Sequence, residues 1–423
     1  MISVTIQLPN VELGADWGDL VSRAHPNVFM SPAALRAADL TMFAKLHVLL
    51  AWDEAARPRR LVGLWALQER RTWSFGPTVL DALPFEYAFL SSPVIDKDVV
   101  AAVMPAFLKA VADAPKLPRV IMMKSLDTEA ASFRPLVDAV EARGGRALTI
   151  KTESRPVIWR DTTDKPSSER RKKLRQCWKR MSAIGVTAMV AVTEPDAVAL
   201  AVETFLDLEF KSWKGAAGTA LLCREEDATF VRRMIGDLAA QGQAMVESLQ
   251  IDGRTIATQI LLLSGMMAYT WKTAFDQAFA KFSPGAVMID KLTERLFASS
   301  TITGIDSCSV EGSFMGELWR DRRAMADVLV KVTPGLSISF WMEAVAQVGR
   351  ERLKQWRDRI VAIQAARRAK RAVAAPAVEA SPHRKPIATD VATTNPLPRQ
   401  HASPSIVATG LPGEAARAAR SNA

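Results

Sequence analysis

Three apolar segments in a row, followed by a loop and a helix, constrain this 423-residue chain more than any other feature. Residues 244–251 and 255–263 are split by Asp252-Gly253, a pair typical of tight hairpins. A third segment, 266–275, follows, and apolar residues then recur at helical spacing from Val287 to Phe297. The pattern predicts three antiparallel strands, a loop, a helix and a short closing strand.

The loop before this helix has the composition of an anion-binding site. Ser283 can cap the helix, Pro284 suits the first helical position, and Gly285 lets a ligand approach the backbone. Free N–H groups and the helix dipole favour an anion at such an end. We therefore predict a pyrophosphate site, such as one for coenzyme A, at Ser283, Gly285, Ala286 and Val287. An ordinary capped helix is the alternative.

Four stretches resemble the GNAT acyltransferase superfamily, and within it the CelD-like acyltransferases associated with cellulose and exopolysaccharide synthesis. They lie between residues 155 and 325 and are Arg170–Arg175, Leu208–Gly215 with Gly218–Leu221, Lys272–Asp276, and Phe282–Gly285. The resemblance implies acetyl-CoA as the acyl donor. Ser-Pro-Gly-Ala stands in place of the usual glycine-rich pyrophosphate signature, and the related FemAB-like branch uses aminoacyl-tRNA instead.

The first 150 residues predict an α/β unit of their own. Residues 61–67 and 119–123 have strand character, as does Trp73-Ser-Phe, whereas 98–114 and 136–143 are predicted helices. The resemblance implies that this unit is a degenerate GNAT-like copy. We therefore expect an α/β (α+β) fold of tandem GNAT-like domains, each a mixed, mostly antiparallel sheet flanked by helices.

The predicted division of the chain follows from these signals and from its basic end. It consists of an N-terminal GNAT-like domain at 1–150, an acyltransferase domain at 151–340, a basic helix at 341–372 and a disordered tail at 373–423. The basic helix carries an apolar stripe, so it can pack on the body, dimerise, or contact a membrane surface or a complex.

Two helices precede the hairpin. The first, 167–185 with Ser168 as its cap, is basic over most of its surface; it is either a solvated helix or a contact for coenzyme A phosphates, tRNA or an acidic glycan. The second, 196–213, opens into a glycine-rich loop. There the resemblance favours an acceptor-pocket wall over a surface salt bridge, with the substrate residues Glu209, Trp213 and Lys214.

Alternation along the third strand divides its residues between two faces. Lys272, Ala274 and Asp276 are predicted to share one face. The other face takes Tyr269, Trp271 and Thr273.

Acyl transfer needs a base, a group that polarises the carbonyl, and positioning of both substrates. Asp276 is the predicted base, with Glu247 and Asp306 behind it. Lys272 would stabilise Asp276 or an anionic substrate, and Tyr269 would protonate the leaving thiolate.

The charge and composition of the chain exclude several classes of site. Of the net charge of +10, the segment 341–423 supplies eight, with 14 Lys and Arg against 6 Asp and Glu, so the remaining body shows no nucleic-acid footprint. The histidines and three cysteines have no triad or metal spacing, and no metal is predicted. No signal peptide is visible, which predicts a cytoplasmic protein.

These observations favour an acyltransferase that acetylates an amine or hydroxyl of a small-molecule or glycan acceptor, a polysaccharide precursor by resemblance. A FemAB-like, aminoacyl-tRNA-dependent transferase is the first alternative, and only there is a nucleic-acid partner expected. The second is a non-catalytic GNAT-fold scaffold of exopolysaccharide synthesis.

Overall fold

The computed structural model of the chain describes residues 1–163, 166–298 and 301–374. They contain two copies of one element order, β-α-α-β-β-β-α-β-α-β. The first copy comprises β1 (Ile2–Gln7), α1 (Gly14–Arg23), α2 (Pro32–Leu40), β2 (Leu46–Asp53), β3 (Arg60–Arg71), β4 (Thr78–Asp81), α3 (Val100–Asp113), β6 (Val120–Asp127), α4 (Phe133–Ala142) and β7 (Arg146–Trp159), with the two-residue β5 (Val94–Ile95) added beside β3.

The second copy follows α5 (Ser168–Ser182) and precedes α11 (Ile338–Ala374). It comprises β8 (Thr187–Val192), α6 (Pro195–Phe210), α8 (Glu225–Ala239), β9 (Ala244–Ile251), β10 (Arg254–Ser264), β11 (Met267–Phe275), α9 (Pro284–Ala298), β12 (Gly304–Asp306), α10 (Met315–Leu318) and β13 (Arg322–Lys331), with the short α7 (Trp213–Ala216) added after α6. The tandem α/β architecture expected from the sequence is therefore confirmed.

Both copies share one sheet, in which their last strands are exchanged. The strand order is β1-β2-β3-β4-β6-β13-β7-β12-β11-β10-β9-β8. Strand β13 of the second copy pairs with β6 of the first, and β7 of the first copy pairs with β12 of the second. Because β7 and β13 also pair with each other along most of their length, neither copy has a complete sheet without the other.

One parallel strand pair occurs in each copy, at the place where a helix crosses between strands. Strand β4 runs parallel to β6, with α3 as the crossover, and β11 runs parallel to β12, with α9 as the crossover. All other pairings in the sheet of the described residues are antiparallel. Both paired segments are short: β12 pairs over its whole length with the start of β11, so residues 270–275 of β11 extend beyond their parallel partner.

Two apolar clusters cover opposite faces of β11. Met288 and Leu292 of α9, with Leu174 of α5, belong to the cluster on one face. The other face packs with α6, α8 and segments of the first copy, in a cluster that includes Phe205 and Phe230. The second face of β11 is therefore the one that meets the first copy.

The local predictions for the hairpin turn and for the start of α9 are confirmed. Asp252 and Gly253 both have left-handed backbone angles, with φ of 48° and 78°, as a tight hairpin turn requires. Pro284 is the first residue of α9. The helices predicted at 98–114 and 136–143 correspond to α3 and α4.

Other local predictions were wrong. The segment Trp73-Ser-Phe is a turn between β3 and β4, and Phe75 is 95% exposed, so its aromatic residues do not mark a strand. The cap of α5 is Ser167, whose hydroxyl accepts from the Arg170 amide, and not Ser168.

In the described part of the chain, no helix has the length and apolarity needed to cross a membrane. The basic helix predicted at 341–372 coincides with α11. The tail predicted from residue 373 lies outside the described residues beyond Ala374.

We predict that replacing Leu329, fully buried on the exchanged strand β13, by Ala lowers the free energy of unfolding by about 3 kcal/mol. Because β13 bridges the copies, hydrogen-exchange protection of β2 and β9 should fall together. Leu200→Ala, at a position 73% exposed on α6, is the control and should change stability by less than about 0.5 kcal/mol. Loss of protection in only one copy would contradict the shared sheet.

Candidate active site

The segment between β11 and α9 forms a 3-10 helix, Gln277–Phe282, which the sequence did not predict. The Asp276 carboxylate caps it by accepting from the Ala278 amide, and it also forms an ion pair of 2.5 Å with Arg254. Ser283 ends this helix in a left-handed conformation with φ of 49°, and its carbonyl accepts the Val287 amide in the first turn of α9. Asp276, the predicted base, thus has two structural partners.

The predicted phosphate-binding residues begin α9 and are mostly buried. Ala286 and Val287 are 8% and 1% exposed. A Cβ atom placed on Gly285 would lie 3.9 Å from the side chains of Thr273 and Phe275, so an alanine is sterically tolerated there. This end of α9 therefore abuts the last residues of β11.

The predicted alternation along β11 is interrupted at Trp271. Thr270 pairs with Leu261 and Lys272 with Ile260, so one extra residue lies opposite β10 at this point. As a result Tyr269, Trp271 and Ala274 belong to one apolar cluster. The prediction that Ala274 faces away from Tyr269 and Trp271 was wrong, because a bulge resets the two-residue period.

The Lys272 amine lies over the Tyr87 ring, 4.3 Å from its centroid and 5.5 Å from that of Trp271. In the described chain no carboxylate lies within ion-pair distance of this amine. Burial lowers the pKa of Lys272 to about 8, opposed by the negative charge of Glu209 and assisted by Lys214. Lys272 is therefore a lysine that can exchange its proton near neutral pH.

Glu209, at the end of α6, is 2% exposed and has one partner for each carboxylate oxygen. Its Oε1 lies 2.7 Å from the Lys214 amine, and its Oε2 accepts the Leu221 amide at 3.0 Å. This arrangement holds the loop after α6 beside Lys272. The structure therefore brings together three of the predicted residues, Lys272, Glu209 and Lys214, whereas Trp213 points outward and is 63% exposed.

Tyr87 and Asp227 complete this cluster and were missed by the sequence analysis. The Tyr87 hydroxyl hydrogen-bonds the buried Asp227, and burial raises the pKa of Tyr87 well above its usual value. Asp227 is also held by Arg224, with contacts of 2.8 and 2.7 Å. The Trp271 indole donates to the Tyr87 carbonyl at 2.8 Å. Tyr87 is one of only two tyrosines in the chain, which is the one signal that could have singled it out.

Tyr269 and Asp306 face each other on the last rung of the parallel pair β11–β12. The Tyr269 hydroxyl donates to the Pro26 carbonyl at 2.7 Å, and burial raises its pKa. Asp306 pairs with Arg323 at 2.7 Å and lies 3.8 Å from Arg155. Beyond this rung the strands separate, and the Thr270 hydroxyl spans the fork to the Asp306 carbonyl.

A cavity of about 570 Å³ lies at the closed end of this fork, between the two copies. Tyr269 and Arg323 line it, together with His25 and Asp127 of the first copy. Burial lowers the pKa of His25 and raises that of Asp127. Most of the wall is apolar. None of the residues that line the cavity belongs to the Lys272 cluster, so the two are distinct.

A second, smaller groove of about 380 Å³ runs between α5 and α9, beside Val287. Arg171, Arg175 and Lys291 line it together with Asp290 and Glu294, and Lys291 pairs with Glu294 at 2.7 Å. Of the basic residues predicted on α5, Arg170 is instead paired with Glu317 at 2.8 Å. Arg171 and Arg175 of this groove place positive charge next to the start of α9. Among the described residues, no three metal-ligating side chains come together.

Residues 168–309 match the family model described as Acetyltransferase (GNAT) domain. The matched segment spans α5 to β12 and includes the Lys272 cluster and the start of α9. It covers about a third of the chain. No curated protein matches this sequence.

Solved structures resemble the chain over both copies. FemX is 12% identical, covers 76% of this chain and 96% of its own, and superposes with a TM-score of 0.53. A conserved protein of unknown function from Bacteroides thetaiotaomicron is 12% identical over 78% of this chain and 99% of its own, with a TM-score of 0.48. A tandem GNAT protein from the clavulanic acid biosynthesis pathway is 13% identical over 79% and 100%, with a TM-score of 0.38. The likeness to FemX shows a shared fold.

We predict that the pKa of Lys272 responds in opposite directions to its two charged neighbours. Glu209→Gln removes a negative charge and should lower it further below about 8, whereas Lys214→Gln removes a positive charge and should raise it. A carbon-13 NMR titration of labelled lysine side chains measures both shifts. Equal pKa values in wild type and both variants would mean that these charges do not face the amine.

Proposed function

We propose that the chain transfers an acyl group, acetyl from acetyl-CoA, to an amine or hydroxyl of a small acceptor. The observation that carries the proposal is the fork between β11 and β12 beyond the Tyr269–Asp306 rung, with the half-buried Lys272 just past it. A polysaccharide precursor as the acceptor rests on the sequence resemblance to the CelD-like branch alone.

The donor side of this fork fits the chemistry of coenzyme A. Strand separation leaves the β12-facing edge of residues 270–275 without a strand partner in the described chain, and such backbone groups can pair with amides of a ligand. The start of α9 offers free N–H groups at Gly285 and Ala286. Beside it, Arg171 and Arg175 of the groove between α5 and α9 supply cations for phosphates.

The catalytic step is the breaking of a C–S bond and the formation of a C–N or C–O bond at the same carbonyl carbon. Lys272 carries most of its proton at pH 7, since its pKa is about 8. As an ammonium with no carboxylate partner in the described chain, it would stabilise negative charge on the carbonyl oxygen and then protonate the departing thiolate. The acceptor's proton leaves to solvent, or to the Lys272 amine after this amine has given its own proton to the thiolate.

The remaining predicted residues act as positioning groups in this scheme. Glu209 and Lys214 hold the loop that walls the acceptor side, with the exposed Trp213 at its edge. Asp306 and Tyr269 are engaged by Arg323 and Pro26 and fix the point where the strands part. Asp276 anchors the turn into α9.

A second candidate function is aminoacyl transfer from tRNA. The exposed basic side chains of α5, which include Lys172, Lys173 and Arg175, favour it, since a tRNA backbone needs such a surface. The other support is that the CelD-like branch, which the sequence resembles, is related to the FemAB-like branch. Acetyl-CoA remains the first proposal, because the charge of the body is close to balanced outside the C-terminal segment.

We predict that the protein slowly hydrolyses acetyl-CoA without an acceptor: water takes the acetyl group as acetate and free thiol is released. The rate should fall as pH rises through about 8 because Lys272 loses its proton. Lys272→Met should lower this rate about 100-fold, the order expected for one lost electrostatic donor, with acetyl-CoA affinity changed less than about twofold. Thiol release and isothermal titration measure the two effects. Gly285→Val should instead lower the affinity for acetyl-CoA, because the valine side chain blocks the approach of the ligand to the start of α9.

The same titrations separate the two donors. If tRNA binds more tightly than acetyl-CoA, with a steep salt dependence that Lys172→Gln, Lys173→Gln and Arg175→Gln together flatten, the donor is aminoacyl-tRNA. Binding of acetyl-CoA with no thiol release and no transfer to any amine or saccharide would instead favour the non-catalytic scaffold.

A further inference from the structure

Helix α11 has two apolar faces, and only one of them packs on the protein. Phe340 and Ala344 join a buried cluster with Leu329 of the sheet. On the same side Glu343 is fully buried, pairs with Arg70 at 2.5 Å and accepts from Gln347 at 2.6 Å. These contacts fix the helix against the sheet and determine which side faces outward.

The outward face carries large apolar side chains. Trp341 is 44% exposed, Val345 71%, Leu353 65% and Trp356 64%. At 3.6 residues per turn these positions fall on one stripe, roughly 180° around the helix from the packed face. Ile338, which is 79% exposed, extends the stripe at its beginning, and Leu336, which is 96% exposed, precedes the helix. The stripe spans about five turns and is interrupted at Gly349 and Arg352. Within the described chain the Arg146 guanidinium lies 4.9 Å from the centroid of the Trp341 ring, whereas Val345, Leu353 and Trp356 remain mostly exposed.

Basic side chains accompany the stripe. Arg352, Lys354 and Arg359 are exposed on the same turns, and Arg350 is half-exposed beside the buried Glu343. The sequence adds Arg367, Arg368, Lys370 and Arg371 further along. Tryptophan at the edge of an apolar stripe, with lysine and arginine around it, is the composition of helices that lie in a membrane interface.

We propose that this outward face of α11, from Ile338 to Arg359, binds the surface of an anionic lipid bilayer. A second copy of the chain would also cover the apolar stripe, but it would bring two helices with like positive charge together. An anionic surface instead gains from every basic residue near it. The helix would lie along the surface and bring the acyltransferase body to lipid-borne or membrane-bound acceptors. The binding itself does not depend on the proposed activity.

The experiment is flotation of the full chain with vesicles of phosphatidylcholine alone or of phosphatidylcholine with about 30% phosphatidylglycerol. The chain should bind the anionic vesicles, and its partition coefficient should fall at least about tenfold in about 0.5 M salt. Leu353→Ser with Trp356→Ser should lower the partition coefficient about tenfold or more. The matched control, Phe75→Ser with Leu200→Ser, removes two apolar side chains elsewhere that are even more exposed, and it should change the partition coefficient less than about twofold.

The contribution of the basic residues of α11 is tested in the same flotation experiment. Arg352→Gln, Lys354→Gln and Arg359→Gln together should weaken binding and reduce its salt dependence, whereas Lys172→Gln, Lys173→Gln and Arg180→Gln on α5 should not. Equal binding to both vesicle types, or no binding, would overturn the proposal. So would a stable dimer in sedimentation that the Leu353 and Trp356 changes dissociate, because a second copy would then be the occupant.

Discussion

The buried carboxylate of Asp306 connects three neighbouring strands at the centre of the sheet. It lies on β12, pairs with Arg323 on β13 and approaches Arg155 on β7, so one charge connects the exchanged strands of both copies. Arg323 also reaches Asp127 on β6 at 3.3 Å. A buried ion network contributes little net stability compared with apolar packing, but loss of one member leaves an unpaired charge at a cost of several kcal/mol. The network therefore disfavours strand arrangements that leave one of these charges unpaired, including those that shift the rung at which β11 and β12 part.

The chemistry of the site depends on that parting. A strand fork exposes backbone groups that a continuous sheet would pair, and it places Lys272 in a half-buried position beside aromatic rings and two carboxylates. Burial alone would lower the pKa of this amine further, and Glu209 opposes the effect. The balance keeps the lysine mostly protonated at neutral pH, yet able to lose its proton within the range in which an amine acceptor becomes reactive.

Much of the second copy could be predicted from the sequence, because its signals are local. The Asp252-Gly253 turn, the three strands and Pro284 at the start of α9 depend on residues within a few positions of each other. The site could not be predicted to the same degree. The bulge at Trp271 is set by pairing with β10, and Tyr87 and Asp227 reach Lys272 from distant parts of the chain. The alternation of residues along β11 gives no information about such contacts. Similarly, Trp73 and Phe75 have strand composition but lie in a turn.

The central claim is that an acyl donor binds in the fork between β11 and β12. Hydrogen–deuterium exchange with and without acetyl-CoA tests it most directly. The account predicts new protection at the amides of residues 270–275 and 285–287, retained in Lys272→Met, since that change removes the chemical step and leaves the backbone of the fork intact. Protection confined to the parallel pair β4–β6 of the first copy, or no change anywhere in the second copy, would contradict it.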